Sequence, residues 1–114
     1  MEKMSSLDEF KQQIAGEQIT VAVFKADWCK DCHYIEPFMP DLEKHYADKL
    51  TFIHIDRDEL PELSADYDIL GIPSFIFFRK GQELTRFVSK LRKTREEIEQ
   101  YIDRSLEVSE AMSS

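Results

Sequence analysis

The chain has 114 residues, of which 42% are hydrophobic and 11% aromatic, enough for one domain with a packed core. Its net charge of -8, with 33% charged residues, argues against nucleic acid, which needs clustered Lys and Arg, and against anionic membrane surfaces. No stretch approaches the roughly 18 apolar residues of a transmembrane helix, and the opening MEKMSSLDEF has no apolar run to serve as a signal peptide, so the expected address is the cytosol.

Ser6-Leu7-Asp8-Glu9 matches the S-x-x-E capping box and opens a short helix with Leu7, Phe10 and Ile14 on one side, ended by Gly16. Ile19–Phe24, ITVAVF, is apolar on both faces and predicts a strand covered from both sides. After WCKDC, residues Ile35, Phe38, Met39, Leu42 and Tyr46 fall at helical spacing, with Pro37 and Pro40 predicting a kink or irregular start. TFIHID (51–56) is a second strand, LPELSADY (60–67) a short helix, and SFIFFR (74–79) a third strand. The chain then turns at Lys80-Gly81 into ELTRFV (83–88). Thr94-Arg95-Glu96-Glu97 is a second capping box, starting a helix that buries Ile98, Tyr101, Ile102 and Leu106. The order α-β-α-β-α-β-β-α predicts an α/β domain over residues 1–108, with 109–114 as a frayed tail.

The stretch Trp28-Cys29-Lys30-Asp31-Cys32-His33 holds the only two cysteines. It fits a redox dithiol, a c-type haem attachment or part of a zinc site. A pair this close constrains the unfolded chain little, so a structural staple is the weaker reading, and in a reducing compartment chemistry is the stronger one. Haem would need an axial partner, a largely helical pocket and export. Zinc would need further ligands, and His45 and His54 fall on a helix and in a strand rather than at ligand spacing. At a strand-to-helix junction, Cys29 is expected at the exposed cap, facing the positive end of the helix, with Cys32 deeper and within bonding reach. That is the arrangement thiol–disulfide exchange requires. His33 is expected as an exposed residue of the first turn that tunes the local field.

With these residues in view, the chain resembles the thioredoxin family over nearly all its length. The resemblance is carried by WCKDC (28–32), Pro37, Asp56 and GIPSFIFFRKGQ (71–82). It implies a thioredoxin-like fold and a cis peptide bond before Pro73, which would face the dithiol. It also implies a thiol–disulfide oxidoreductase that reduces protein disulfides, with Cys29 and Cys32 catalytic and Trp28, Ile72 and Pro73 forming the substrate-docking face. The implied partners are protein disulfides and an NADPH-dependent flavoprotein reductase; the chain itself would hold no cofactor and act as a monomer. The alternative is a thioredoxin-like binding or redox-sensing module without turnover.

Four departures stand out. Lys30-Asp31 replaces the Gly-Pro usual between the cysteines; Lys30 should favour a nearby thiolate and Asp31 oppose it. Val23 stands where the family buries an acid, and Phe52 where a lysine often pairs with it. Apolar packing can replace such a buried pair without loss of stability. Ser89 occupies a loop position that is usually Gly. Because little chain precedes Ser6, the sheet is expected to be a central four-stranded mixed sheet flanked by helices, with the family's first strand short or missing.

Overall fold

A computed structural model describes residues 1–88 and 91–113. Its elements are β1 (Glu2–Lys3), α1 (Leu7–Ile14), β2 (Ile19–Lys25), α2 (Lys30–Ile35), α3 (Met39–His45), β3 (Leu50–Asp56), α4 (Pro61–Asp66), β4 (Ser74–Arg79), β5 (Gln82–Phe87) and α5 (Arg95–Ser113). The sheet order is β1-β3-β2-β4-β5. β1, β3 and β2 run parallel; β4 and β5 are antiparallel to their neighbours. Ser89 lies outside the described residues.

The apolar strand β2 sits at the centre, buried on both faces as its sequence predicts. On one face Ile19, Val21 and Val23 pack with Phe52, Phe75 and Phe77 against Ile35, Leu42, Ile98 and Ile102 of α2, α3 and α5. On the other, Ala22 and Phe24 join Ile53, Ile55, Ile76 and Phe78 against Phe10 and Ile14 of α1 and Leu63 of α4. Strand periodicity alone explains this division, since alternate side chains leave opposite faces. Val23 and Phe52 lie in the same apolar layer.

Both capping boxes form. The Ser6 hydroxyl accepts the Glu9 N–H at 3.1 Å. Thr94 Oγ1 accepts the Glu97 N–H at 3.2 Å, while Glu97 Oε1 accepts the Thr94 N–H at 3.1 Å. Lys80 and Gly81, with φ of 53° and 79°, form the two-residue turn between β4 and β5, where positive φ at both positions matches the strands' twist.

Three expectations change. The sheet has five strands, not four: the Glu2–Lys3 pair runs parallel to β3, opposite Ile53 and His54. The kink at Pro37 is a full break between α2 and α3. Pro37 has no N–H to give, and its ring would clash with the carbonyl one turn back. The chain instead tightens, with Glu36 N–H donating to the His33 carbonyl and Phe38 N–H to that of Ile35, each at 3.3 Å. Finally, residues 109–113, expected as a frayed tail, continue α5. Ser109 is buried there, and the Arg79 guanidinium donates to its hydroxyl at 3.3 Å.

Candidate active site

The parallel strand β2 delivers the chain at Lys25 to a tight turn, where Cys29 N–H donates to the Ala26 carbonyl at 3.2 Å. Cys29 then caps α2 in an extended conformation, and its sulfur accepts the Cys32 N–H at 3.2 Å. This is an N-cap made by sulfur: a backbone donor at the helix start is aimed at the thiol. The two sulfurs are not bonded to each other. Facing them, the Ile72–Pro73 bond is cis, and the Ile72 carbonyl accepts from the Cys29 thiol at 3.5 Å. The fold therefore gathers Cys29, Cys32 and Ile72 with Ala26 in one cluster. Pro73 itself is buried.

Cys29 is more covered than its cap position suggests, with 6% of its surface exposed against 1% for Cys32. Ile72, 43 residues further along the chain, packs on the cluster and adds to this cover. Trp28 is 62% exposed beside it, and its indole N–H donates to Asp58 Oδ2 at 2.9 Å. A groove of about 560 Å³ opens here, with Trp28, Gly71 and Ile72 next to Cys29 and the cations Lys30, Arg57 and Arg92 around it.

The two thiols differ electrostatically. Burial pushes the Cys32 thiol up to about 12, helped by its hydrogen bond with Cys29 and the Cys29 charge, while the Ala26 backbone and Lys25 pull the other way. Asp31, expected to oppose a thiolate, is paired with Arg92 Nε at 2.9 Å, and the Arg92 guanidinium lies 4.6 Å from the centre of the Tyr34 ring. His33 is exposed as expected. Its Nε2 lies 2.6 Å from the Asp27 carbonyl and its Nδ1 3.3 Å from Glu36 Oε1. These contacts, the Asp27 carbonyl first, raise its pKa. His45 and His54 sit on α3 and β3. Among the described residues no group of three or more His, Cys, Asp or Glu is gathered to hold a metal.

One charged group escaped the sequence reading. Lys93, in the basic run Lys90-Leu91-Arg92-Lys93, looks like another solvated cation. It is 1% exposed, and its Nζ lies 5.2 Å from the centre of the Phe87 ring. The adjoining Thr94 cap, which fixes where the loop enters α5, is the one sequence signal that could have drawn attention to it.

The thioredoxin family model matches residues 2–104. Thioredoxin-2 of Schizosaccharomyces pombe, named as mitochondrial, is 33% identical over 91 residues, covering 80% of this chain and 68% of that protein. Equus caballus thioredoxin is 32% identical over 89 residues, covering 76% of this chain and 84% of its own. In three dimensions the chain is similar to the Malassezia sympodialis thioredoxin crystal structure, with a TM-score of 0.82, 28% identity and 92% of each chain covered.

Proposed function

The chain belongs to the thioredoxin family and is a thiol–disulfide oxidoreductase of protein disulfides, in which we propose that Cys29 is the attacking thiol and Cys32 the resolving one. The observation that carries this reading is the asymmetry of the pair. Cys29 receives the Cys32 N–H at the start of α2, whereas Cys32 is the deeper thiol and is held protonated by burial.

In the first step the Cys29 thiolate attacks one sulfur of the substrate disulfide. That S–S bond breaks, a Cys29–substrate bond forms, and the departing substrate thiolate takes a proton from solvent. Cys32 then loses its proton and attacks Cys29 Sγ. The second substrate thiolate leaves, the 29–32 disulfide forms, and two electrons have passed to the substrate. Trp28 and Ile72 form the docking wall, and the backbone at Ile72–Pro73 offers hydrogen bonds to an extended substrate segment.

The chain, with α5 complete to Ser113, acts as one unit in this reading, as a monomer in the cytosol. The oxidised dithiol is returned to the reduced state by an NADPH-dependent flavoprotein thioredoxin reductase. Turbidity from insulin reduction by dithiothreitol tests the core of the reading. The protein should accelerate it well above background. A background rate would favour a binding or sensing module instead.

A further inference from the structure

We propose that the groove beside the dithiol selects protein disulfides flanked by acidic residues, with Lys30 and Arg57 as the charges that make the choice. This substrate class rests on the thiol–disulfide reading above.

Three cations from separate parts of the chain converge on the groove. Lys30 opens α2, Arg57 follows β3, and Arg92 comes from the loop before α5. Among the described residues Asp31 is the one acid of the lining, and it is committed to Arg92 at 2.9 Å. That pair holds Arg92 over Tyr34. Together with the Thr94–Glu97 cap at its other end, it clamps the loop on either side. Lys30 is exposed and Arg57 half-buried, and neither is in an ion pair among the described residues. The groove therefore keeps their two positive charges uncompensated.

Arg57 is fixed in place by backbone bonds. Its N–H donates to the Lys25 carbonyl at 2.8 Å, where β2 and β3 end side by side. The buried Asp56 carboxylate then accepts the N–H groups of Asp58 and Glu59 at 2.8 and 3.2 Å. This turn brings Asp58 to the Trp28 indole at 2.9 Å, so the acid next to Arg57 in sequence is bonded to Trp28 and lies outside the groove lining. A substrate segment lying along Ile72–Pro73 shares the groove with two unpaired cations. Carboxylates beside its cystine would match them, in the way oppositely charged surfaces match across other interfaces.

The net charge of -8 argues for the opposite preference, and distance decides between the two. At physiological ionic strength charges are screened over about 8 Å, whereas the molecule measures 41 × 31 × 22 Å. Acids on the far faces are screened from the groove, while the groove cations are within reach of the substrate itself. Exposed pairs of this kind are individually weak, so the outcome is a preference among disulfides rather than an absolute barrier.

The test uses the full reduced chain and two synthetic peptides that share one cystine loop and carry either Glu or Lys on both sides of it. Second-order rates of peptide reduction at neutral pH are read by chromatography of acid-quenched samples, each divided by that peptide's rate with dithiothreitol. At about 0.15 M salt the Glu peptide should be favoured by about fivefold. At about 1 M salt, where screening shortens to about 3 Å, the preference should vanish. Arg57→Gln and Lys30→Gln should each cut it to about twofold. Both peptides meet the same thiols, so a general loss of reactivity leaves their ratio unchanged. If the variants do not fold, the wild-type ratio and its salt dependence decide. Equal rates, a preference for the Lys peptide, or a preference that survives about 1 M salt overturns this proposal alone. Reduction of neither peptide overturns the thiol–disulfide reading as well.

Discussion

Cys32 gives its backbone N–H to the sulfur of Cys29 across 3.2 Å while its own sulfur is the more buried of the two. One residue therefore supports charge on its neighbour and withholds its own thiol. Two different failures follow. Cys29→Ser should abolish turnover, with activity at background. Cys32→Ser should still attack but leave the substrate attached, and mass spectrometry should find mixed disulfides on Cys29. Alkylation with iodoacetamide gives an independent order: Cys29 should react first in the reduced protein. Faster labelling of Cys32 would reverse the roles.

The cap of α5 has a separable effect on stability. Thr94 and Glu97 satisfy each other's N–H groups at 3.1–3.2 Å. Thr94→Ala removes the hydroxyl and should cost about 1 kcal/mol, within the usual range of about 0.5–2. Urea denaturation should show a lower midpoint with an unchanged slope. A variant as stable as the wild type would mean that water replaces the hydroxyl at no cost.

Val23→Asp probes the apolar layer under the dithiol. Val23 is fully buried at the centre of β2, between His54 of β3 and Phe75 of β4. A carboxylate there would be buried in a largely apolar layer with the half-buried His54 opposite it, and a buried charge left without a compensating partner costs on the order of 3–5 kcal/mol. Thermal unfolding should fall steeply at pH 7 and recover partly at pH 5, where the new carboxyl can be protonated in the native state. Equal loss at both pH values would point to shape, not charge, as the cause.

Much of this molecule is legible in its sequence because the signals are local. Ser6 and Thr94 announce helix starts three residues before their Glu partners, ITVAVF declares a strand covered on both faces, and Cys29–Cys32 fits one turn of helix. What escapes depends on residues far apart in the chain. The two residues of β1 have no pattern of their own and become a strand only through register with Ile53 and His54. Cys29 looks exposed at its cap until Ile72, 43 residues further along the chain, packs against it. Ser109 and its polar neighbours resemble a frayed end, yet Arg79 of β4 reaches Ser109 and the helix runs on. Lys93 resembles Arg92 in composition; only the clamp on either side sends one outward and the other inside.

The buried thiol of Cys32 also links stability to pH in the reduced protein. Its native pKa, pushed up to about 12, lies above the roughly 8.5 of a free thiol in the unfolded chain. As pH rises past the unfolded value, the unfolded state gives up this proton while the native state keeps it, so alkali favours unfolding. The stabilisation from the protonated thiol is therefore complete below about pH 8.5 and is lost progressively as pH climbs toward about 12. Within that window the loss approaches about 1.4 kcal/mol per pH unit. Other groups titrate there too, Tyr46 and Tyr67 among them, whose burial raises them as well. Cys32→Ser isolates the thiol: the difference in urea stability between reduced wild type and variant should be flat from about pH 6 to 8 and shrink from about pH 9 to 10.5. Two stability curves that stay parallel across that range would mean Cys32 ionises as easily in the fold as in water. Resolution of the mixed disulfide should follow the same thiol, rising with pH because the thiolate is the attacking species.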